Sequence, residues 1–214
     1  MIALIDYGAG NLASVRRALA AIGAQVSVAV APGDLPGASA VVVPGVGHFA
    51  ATSSLDHTWR EAIAGLAASG RPLLGICLGM QWLFDGSTEA PDSAGLGLLR
   101  GRCCRLDQAG SRYNGPSGDL PPATRVKIPH VGWNTVQCLR ASPLFAGLEA
   151  DACFYFTHAY AAPVTVDTVA AAVHGTRFAA AAERGRVFGV QFHPEKSGPA
   201  GLRLLANFVE VTRS

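Results

Sequence analysis

Residues 73–81, Leu-Leu-Gly-Ile-Cys-Leu-Gly-Met-Gln, constrain the fold more than any other stretch of the chain. A continuous apolar segment runs into Gly75-Ile76-Cys77-Leu78-Gly79, and Leu78, Gln81, Trp82, Leu83 and Phe84 continue with helical character. A chain that turns from strand to helix in so few residues needs glycine on both sides of the bend, and the middle side chain is left standing above the sheet edge. A cysteine there sits at a helix N-terminus, where unpaired N–H groups and the helix dipole favour thiolate, the form that attacks carbonyl carbon. Free cysteine more commonly packs as a small hydrophobe on a core strand. Glycines on both sides waste packing at such a position unless the backbone requires them.

The surrounding pattern tells what the elbow is built into. Strands are expected over residues 1–6, 25–30, 40–43 and 72–76, and helices over 11–22 and 59–69. Asn11 suits the N-cap of the first helix, and Gly23 and Gly70 suit the two helix stops. Unbroken apolar strands alternating with helices predict an α/β fold with a parallel sheet covered on both faces. Beyond Phe84 the rhythm shortens, with strand character at 98–106, 125–128, 135–139, 153–156, 168–173, 178–183 and 186–192. Arg184-Gly185 joins the last two as a hairpin. Leu202, Leu205 and Phe208 mark an amphipathic helix over 200–211. Residues 107–123, rich in Gly, Pro and Ser, read as a mobile surface excursion. Nothing repeats and nothing reads as a linker, so residues 1–214 are expected to form one domain.

Composition closes off other classes. Half of the 214 residues are hydrophobic and 15% are charged, which excludes a disordered chain. A net charge of +2 is too small to argue for nucleic acid or a membrane surface. No apolar run reaches the length of a bilayer span and no signal-like segment opens the sequence, so a cytosolic protein is expected. Five cysteines without framework spacing fit a reducing compartment. Among 17 basic residues only Lys127 and Lys196 are lysines, a hint that lysine is kept there for geometry or pKa.

A cysteine nucleophile needs a base, and the base needs a group that fixes its tautomer. Gln191-Phe192-His193-Pro194-Glu195-Lys196-Ser197 offers both at the end of an apolar strand, where α/β sites collect. Pro194 holds His193 extended, and residues two apart in an extended segment project to one side, so His193 and Glu195 can share a cleft with Cys77. Alone, the segment reads equally well as a solvated loop with an ordinary Glu195–Lys196 pair; the elbow tips it to a triad. Attack on a carbonyl also needs oxyanion donors. The N–H of Leu78, which follows the nucleophile, is one. Pro44-Gly45-Val46-Gly47 is the obvious source of the other, since its glycines allow close approach and even a peptide flip.

Gly8-Ala9-Gly10-Asn11-Leu12-Ala13 matches a dinucleotide-binding fingerprint with Asp34 as acidic partner, but the glycines come late after the strand and Asp34 lies in a Pro-Gly loop. Cys103 and Cys104 are adjacent, belong on opposite faces of a strand and complete no metal spacing. Cys138 and Cys153 are expected in the core, and His48, His57 and His174 at the surface or as caps. Residues 127–134, Lys-Ile-Pro-His-Val-Gly-Trp-Asn, set a Trp, a His and an Asn in a Pro/Gly-bounded segment that suits either a contact surface or a turn around a core Trp.

Together these motifs resemble the class I (triad-type) glutamine amidotransferases, and more closely the glutaminase subunits of imidazole glycerol phosphate synthases. The elbow and the His-Pro-Glu segment carry the class. The Gly8-Ala9-Gly10-Asn11-Leu12 opening and the segment Pro129-His130-Val131-Gly132-Trp133-Asn134 carry the subgroup, and the resemblance extends over Pro44-Gly45-Val46-Gly47, Gly95-Leu96-Gly97-Leu98 and Phe156-Thr157-His158-Ala159-Tyr160. The resemblance implies a flavodoxin-like three-layer fold, with a central mostly parallel sheet and an added small antiparallel sheet. It implies Cys77 as nucleophile on the side-chain amide of glutamine, His193 as base and then acid, and Glu195 as its orienter. Oxyanion donors are implied at Val46 and Leu78, glutamine contacts at Gly47, Gln81, Ala159 and Tyr160, and no cofactor or metal. It further implies a heterodimer with a (β/α)8-barrel cyclase, docked over the site at Trp133, Asn134, Tyr155 and Lys196 and receiving ammonia through a channel. Two departures stand out. Ala159 replaces the usual Ser or Thr of His-Ser-Tyr, removing a hydroxyl that can touch glutamine, and Val131 replaces Met, a volume change expected to be neutral.

Overall fold

The computed structural model describes residues 1–109 and 126–213. Four short strands, each buried along its whole length, form the parallel heart of the fold: β1 (Ile2–Ile5), β3 (Ala40–Val43), β4 (Leu73–Ile76) and β13 (Val187–Val190). β2 (Val26–Ala29) flanks β1 in parallel. On the other side β12 (Thr176–Arg184), β11 (Thr168–His174) and β8 (Gln137–Cys138) continue the sheet antiparallel, giving the order β2-β1-β3-β4-β13-β12-β11-β8. Side-chain alternation splits the sheet into two cores. Ile2 and Leu4 face a cluster with Val15 and Leu19 of α1 (Leu12–Ala21) and Leu204, Leu205 and Phe208 of α5 (Gly198–Val211). Ala3 and Ile5 face Trp59 and Ile63 of α2 (His57–Ala68) and Met80, Trp82 and Leu83 of α3 (Leu78–Leu83). The result is the three-layer α/β/α arrangement expected.

Two smaller sheets lie apart. β7 (His130–Thr135) pairs antiparallel with β9 (Cys153–His158), and β10 (Tyr160–Ala161), β6 (Arg102–Arg105) and β5 (Gly86–Ser87) form a three-stranded set. A helical turn, α4 (Leu106–Ala109), follows β6. The excursion expected over 107–123 lies outside the described residues from 110 onward.

Most elements fall where the sequence places them, and the differences have physical causes. α2 begins two residues early because the Asp56 carboxylate caps it, accepting from Thr58 N at 3.0 Å and Trp59 N at 3.1 Å. Residues 126–128 are not strand; pairing starts at His130, so residues 130–134 are a ribbon strand rather than a turn. Cys138 and Cys153 are exposed, not core. Cys138 lies on edge strand β8, paired only with β11, and Cys153 shares the outward face of β9 while Phe154, Phe156 and His158 point inward. Cys103 is buried and Cys104 only partly so, on opposite faces of β6 as expected.

Candidate active site

Adjacency of β1, β3, β4 and β13 decides where the site forms. In a parallel sheet the carboxyl ends open onto one edge, and the loops leaving them meet there. Those loops carry Gly8-Ala9-Gly10, Pro44-Gly45-Val46-Gly47, Cys77 and Gln191-Phe192-His193. Segments far apart in sequence are thereby brought around one sulfur.

Cys77 has φ 52° and ψ −106°, the one positive-φ residue other than glycine among the described residues. An L side chain is costly there, on the order of 1–3 kcal/mol, and persists only where the surroundings enforce it. They do: Cys77 N donates to Val190 O at 2.8 Å, all of α3 is buried, and a Cβ at Gly79 would collide with the Val43 carbonyl. The glycine after the nucleophile lets α3 settle directly onto β3.

His193 and Glu195 share one side of their extended segment, with Nδ1 of the imidazole 2.8 Å from Glu195 Oε1 and both side chains 1% exposed. Ser197 holds the segment, donating to His193 O at 2.6 Å and accepting from Tyr155 N at 3.0 Å. Burial alone lowers the His193 pKa, but hydrogen bonding and charge from Cys77 and Glu195 outweigh it and raise it to about 10. His193 Nε2 is buried without a partner in ordinary bonding geometry, yet Cys77 is near enough to act on it. A protonated imidazole held between the Cys77 sulfur and the Glu195 carboxylate is the state this arrangement favours.

Beside Cys77 opens a small pocket of about 130 Å³ that is continuous with solvent. Val46, Gly47, Leu78, Gln81, Ala159 and Tyr160, all singled out from sequence, line it. Glu89, Thr157 and His158 line it too and were not assigned to it by sequence reasoning. Thr157 and His158 sit inside a motif already noted, whereas Glu89 carries no local signal. Its Oε2 accepts from Phe49 N at 2.8 Å, so it reaches the pocket from a loop that packing alone brings there.

The two expected oxyanion donors are both engaged. Val46 N donates to Ala9 O at 2.8 Å, and Leu78 N donates to Gly45 O at 3.3 Å. One peptide, Gly45–Val46, is held at both ends. Beneath it lies the Tyr7 phenol, which burial and the charge of Cys77 hold above its ordinary pKa range and whose hydroxyl has no partner among the described residues. A Cβ at Gly45 would crowd that hydroxyl, Leu78 Cβ and Gly79 N.

Trp133, Tyr155 and Lys196 gather on one face of the β7–β9 ribbon. Trp133 is 59% exposed, its ring meets Tyr155 edge-on at 6.1 Å, and Lys196 Nζ lies 5.8 Å from the Tyr155 ring centroid. Asn134 points to the other face, donating to Val173 O at 2.9 Å. His130, read from sequence as displayed, is buried on that second face. Asp34 spends its carboxylate on Val30 N and Ala31 N at 2.9 and 3.0 Å, a local turn rather than a ribose contact. His48 caps a short 3-10 helix through Ala50 N. Among the described residues no cluster of His, Cys, Asp and Glu could hold a metal ion, and no helix is long and apolar enough to cross a membrane.

Comparison with known proteins agrees with this geometry. The family model for class-I glutamine amidotransferases matches residues 3–211. Imidazole glycerol phosphate synthase subunit HisH of Deinococcus radiodurans is 44% identical over 211 residues, covering 97% of this chain and 92% of that protein. The HisH subunit of Methanothermobacter thermautotrophicus is 42% identical, with each chain covered in full. Among solved structures, a glutamine amidotransferase superposes with a TM-score of 0.73 at 17% identity, covering all of both chains. PurLQS from Thermotoga maritima gives 0.72 at 19% identity, covering 98% of this chain and 97% of that one. At such identities the two structures speak to the fold alone.

Proposed function

The chain belongs to the class I glutamine amidotransferases, and from that premise we propose that it is the glutaminase subunit of an imidazole glycerol phosphate synthase. It forms one amidotransferase domain, acts in the cytoplasm and serves histidine biosynthesis with a (β/α)8-barrel cyclase partner. The observation that carries the chemistry is the meeting of Cys77, on a strained elbow, with the buried His193–Glu195 pair beside a pocket. Full-length likeness to HisH subunits supports the choice within the family.

The Cys77 thiolate adds to the carboxamide carbon of glutamine, and the carbonyl oxygen takes the negative charge. His193 Nε2–H gives its proton to the nitrogen, the C–N bond breaks, and ammonia leaves a thioester on Cys77. Imidazole then takes a proton from water, hydroxide adds to the thioester, and glutamate departs as thiolate re-forms. Glu195 accepts from Nδ1–H throughout, fixing the tautomer and stabilising the imidazolium. Glu89 places a carboxylate in the pocket suited to the ammonium of an amino acid, and Ala159 lines the pocket without a side-chain hydroxyl.

Oxyanion stabilisation requires the Gly45–Val46 peptide to rotate. That single motion takes Gly45 O off Leu78 N and turns Val46 N–H away from Ala9 O, so both donors are released together. The resting subunit is therefore a slow glutaminase, and docking of the cyclase against Trp133, Tyr155 and Lys196 favours the rotated state. Ammonia passes to the cyclase, which forms imidazole glycerol phosphate and an aminoimidazole carboxamide ribotide from a phosphoribulosyl intermediate. In the reconstituted complex Cys77→Ala is expected to abolish glutamine-dependent synthesis while ammonium still supports it. Glutamine-dependent turnover retained by the variant overturns the assignment.

A further inference from the structure

Two buried histidines lie between the ribbon and the pocket and have no part in the triad. His130 on β7 and His158 on β9 are register partners, 4% and 7% exposed. Their rings meet with His130 Nδ1 3.1 Å from His158 Nε2. His130 is stacked between Phe156 and His174, with ring centroids 4.8 and 4.1 Å away. Burial first, and the neighbouring His174 imidazole second, lower the His130 pKa to about 4. Burial likewise lowers that of His158 to about 3, against the opposing pull of the Tyr160 carbonyl. Both rings are neutral, so each has one N–H to place.

Their surroundings leave one way to place them. His158 Nδ1 lies 2.9 Å from Tyr160 O, and a carbonyl only accepts, so Nδ1 carries the proton and Nε2 is bare. His130 Nδ1 must then donate to that bare nitrogen, which leaves His130 Nε2 as an acceptor. Asn134 Nδ2 stands 3.4 Å from it, a long contact of the correct polarity. The order continues toward the sulfur. Gln81 Nε2 donates to the same Tyr160 carbonyl at 2.8 Å and to Gln191 Oε1 at 3.1 Å, and Gln191 Nε2 donates to Cys77 Sγ at 3.5 Å. With both N–H groups spent, Gln81 has its carboxamide oxygen left to present to the pocket it lines.

We propose that His130 is a positioning residue for glutamine hydrolysis: its Nδ1–H holds the bare Nε2 of His158, which keeps that ring on the Tyr160 carbonyl and through it fixes the Gln81 carboxamide. This inference rests on the glutaminase reading. Without the His130 donor, the buried Nε2 of His158 loses its partner, and the ring is no longer held from that side. Its Nδ1–H then holds the Tyr160 carbonyl, 2.9 Å away, less firmly. β10, only Tyr160–Ala161, has little to resist a shift, and Gln81 loses an anchor. Substrate binding suffers before the chemical step does, because Cys77, His193 and Glu195 are held by other contacts.

Two variants in the cyclase complex separate this role from packing. His130→Phe keeps an aromatic ring between Phe156 and His174 but removes the donor. His130→Asn returns an N–H close to the Nδ1 position. His130→Phe is expected to raise the glutamine KM about tenfold and change kcat by less than about threefold, and His130→Asn to bring KM back within about threefold of the parent. Nitrogen NMR of the unaltered complex should show His158 protonated at Nδ1 with Nε2 accepting a hydrogen bond, the Nε2 resonance shifting in His130→Phe and returning in His130→Asn. An unchanged KM in His130→Phe, no rescue by His130→Asn, or His158 protonated at Nε2 in the parent complex overturns the inference. A parent complex that leaves glutamine intact overturns the glutaminase reading itself, and the inference with it.

Discussion

Two glycine-flanked turns leave neighbouring parallel strands within a few ångströms of each other, and they are held by different means. At the Cys77 elbow the backbone is locked by contact: Gly79 lies against the Val43 carbonyl, α3 is wholly buried, and Cys77 keeps an unfavourable φ because no other arrangement fits. At Pro44-Gly45-Val46-Gly47 the peptide is held by two hydrogen bonds, Val46 N–H to Ala9 O and Leu78 N–H to Gly45 O, with Val46 and Gly47 exposed. Steric locking admits no alternative, whereas hydrogen bonds can be exchanged at little net cost. A nucleophile benefits from the first and a switchable donor from the second. The contrast explains how one site can keep its sulfur fixed and still be held idle.

The contrast can be broken most severely at the elbow. Gly79→Ala forces a methyl into the Val43 carbonyl, so glutamine hydrolysis should vanish and urea denaturation should show a loss of about 3 kcal/mol. A variant of near-parental stability would mean the elbow is not locked. Next comes Glu195→Gln, which leaves both turns in place but takes the carboxylate from His193. Hydrolysis in the cyclase complex should fall on the order of 10³-fold with circular dichroism unchanged. A drop of only a few fold would remove Glu195 from the triad.

Gly47→Ala tests the softer turn. Its φ is +97° with open space around it, so the cost is conformational, about 1–2 kcal/mol, and hydrolysis should fall roughly tenfold. If it destabilises the protein as much as Gly79→Ala, the distinction between the turns collapses. The smallest effect concerns pH. A His193 pKa raised from 6.5 to about 10 contributes stability that is fully present below pH 6.5 and lost as pH rises through about 10. Glu195→Gln removes one of the raising partners, so it has less of this stability to lose and its decline should end at lower pH. Urea midpoints measured from pH 6 to 10 check this, and superimposable profiles for the two proteins would contradict it.

What could be read from the sequence follows the same division between local and distant causes. Cys77 and the His193–Glu195 pair were legible because glycine and proline act on their immediate neighbours, and because apolar strands end where α/β sites begin. Residues that reach the site by packing were not. Glu89 comes in from a loop across the pocket and carries no periodic signal. Asn134 was grouped with Trp133 by the family resemblance; in β7 the alternation of a strand sends the two side chains to opposite faces. Cys138 and Cys153 were misplaced for a related reason, since an apolar side chain says nothing of whether its strand is central or at an edge. The engaged state of the Val46 N–H had no trace in the sequence beyond the glycines that permit it.

The position of β13 between β4 and β12 bears on how the protein comes into being. A ribosome delivers Cys77 first, and the strand that completes the sheet beside it follows much later, Gln191 lying 114 residues further along. Until then the sulfur has neither Gln191 nor His193 near it, and Cys77 N lacks its acceptor at Val190. A nascent chain therefore displays a cysteine with no base, and the capacity to release ammonia appears only when the fold closes. The order of translation is itself a safeguard.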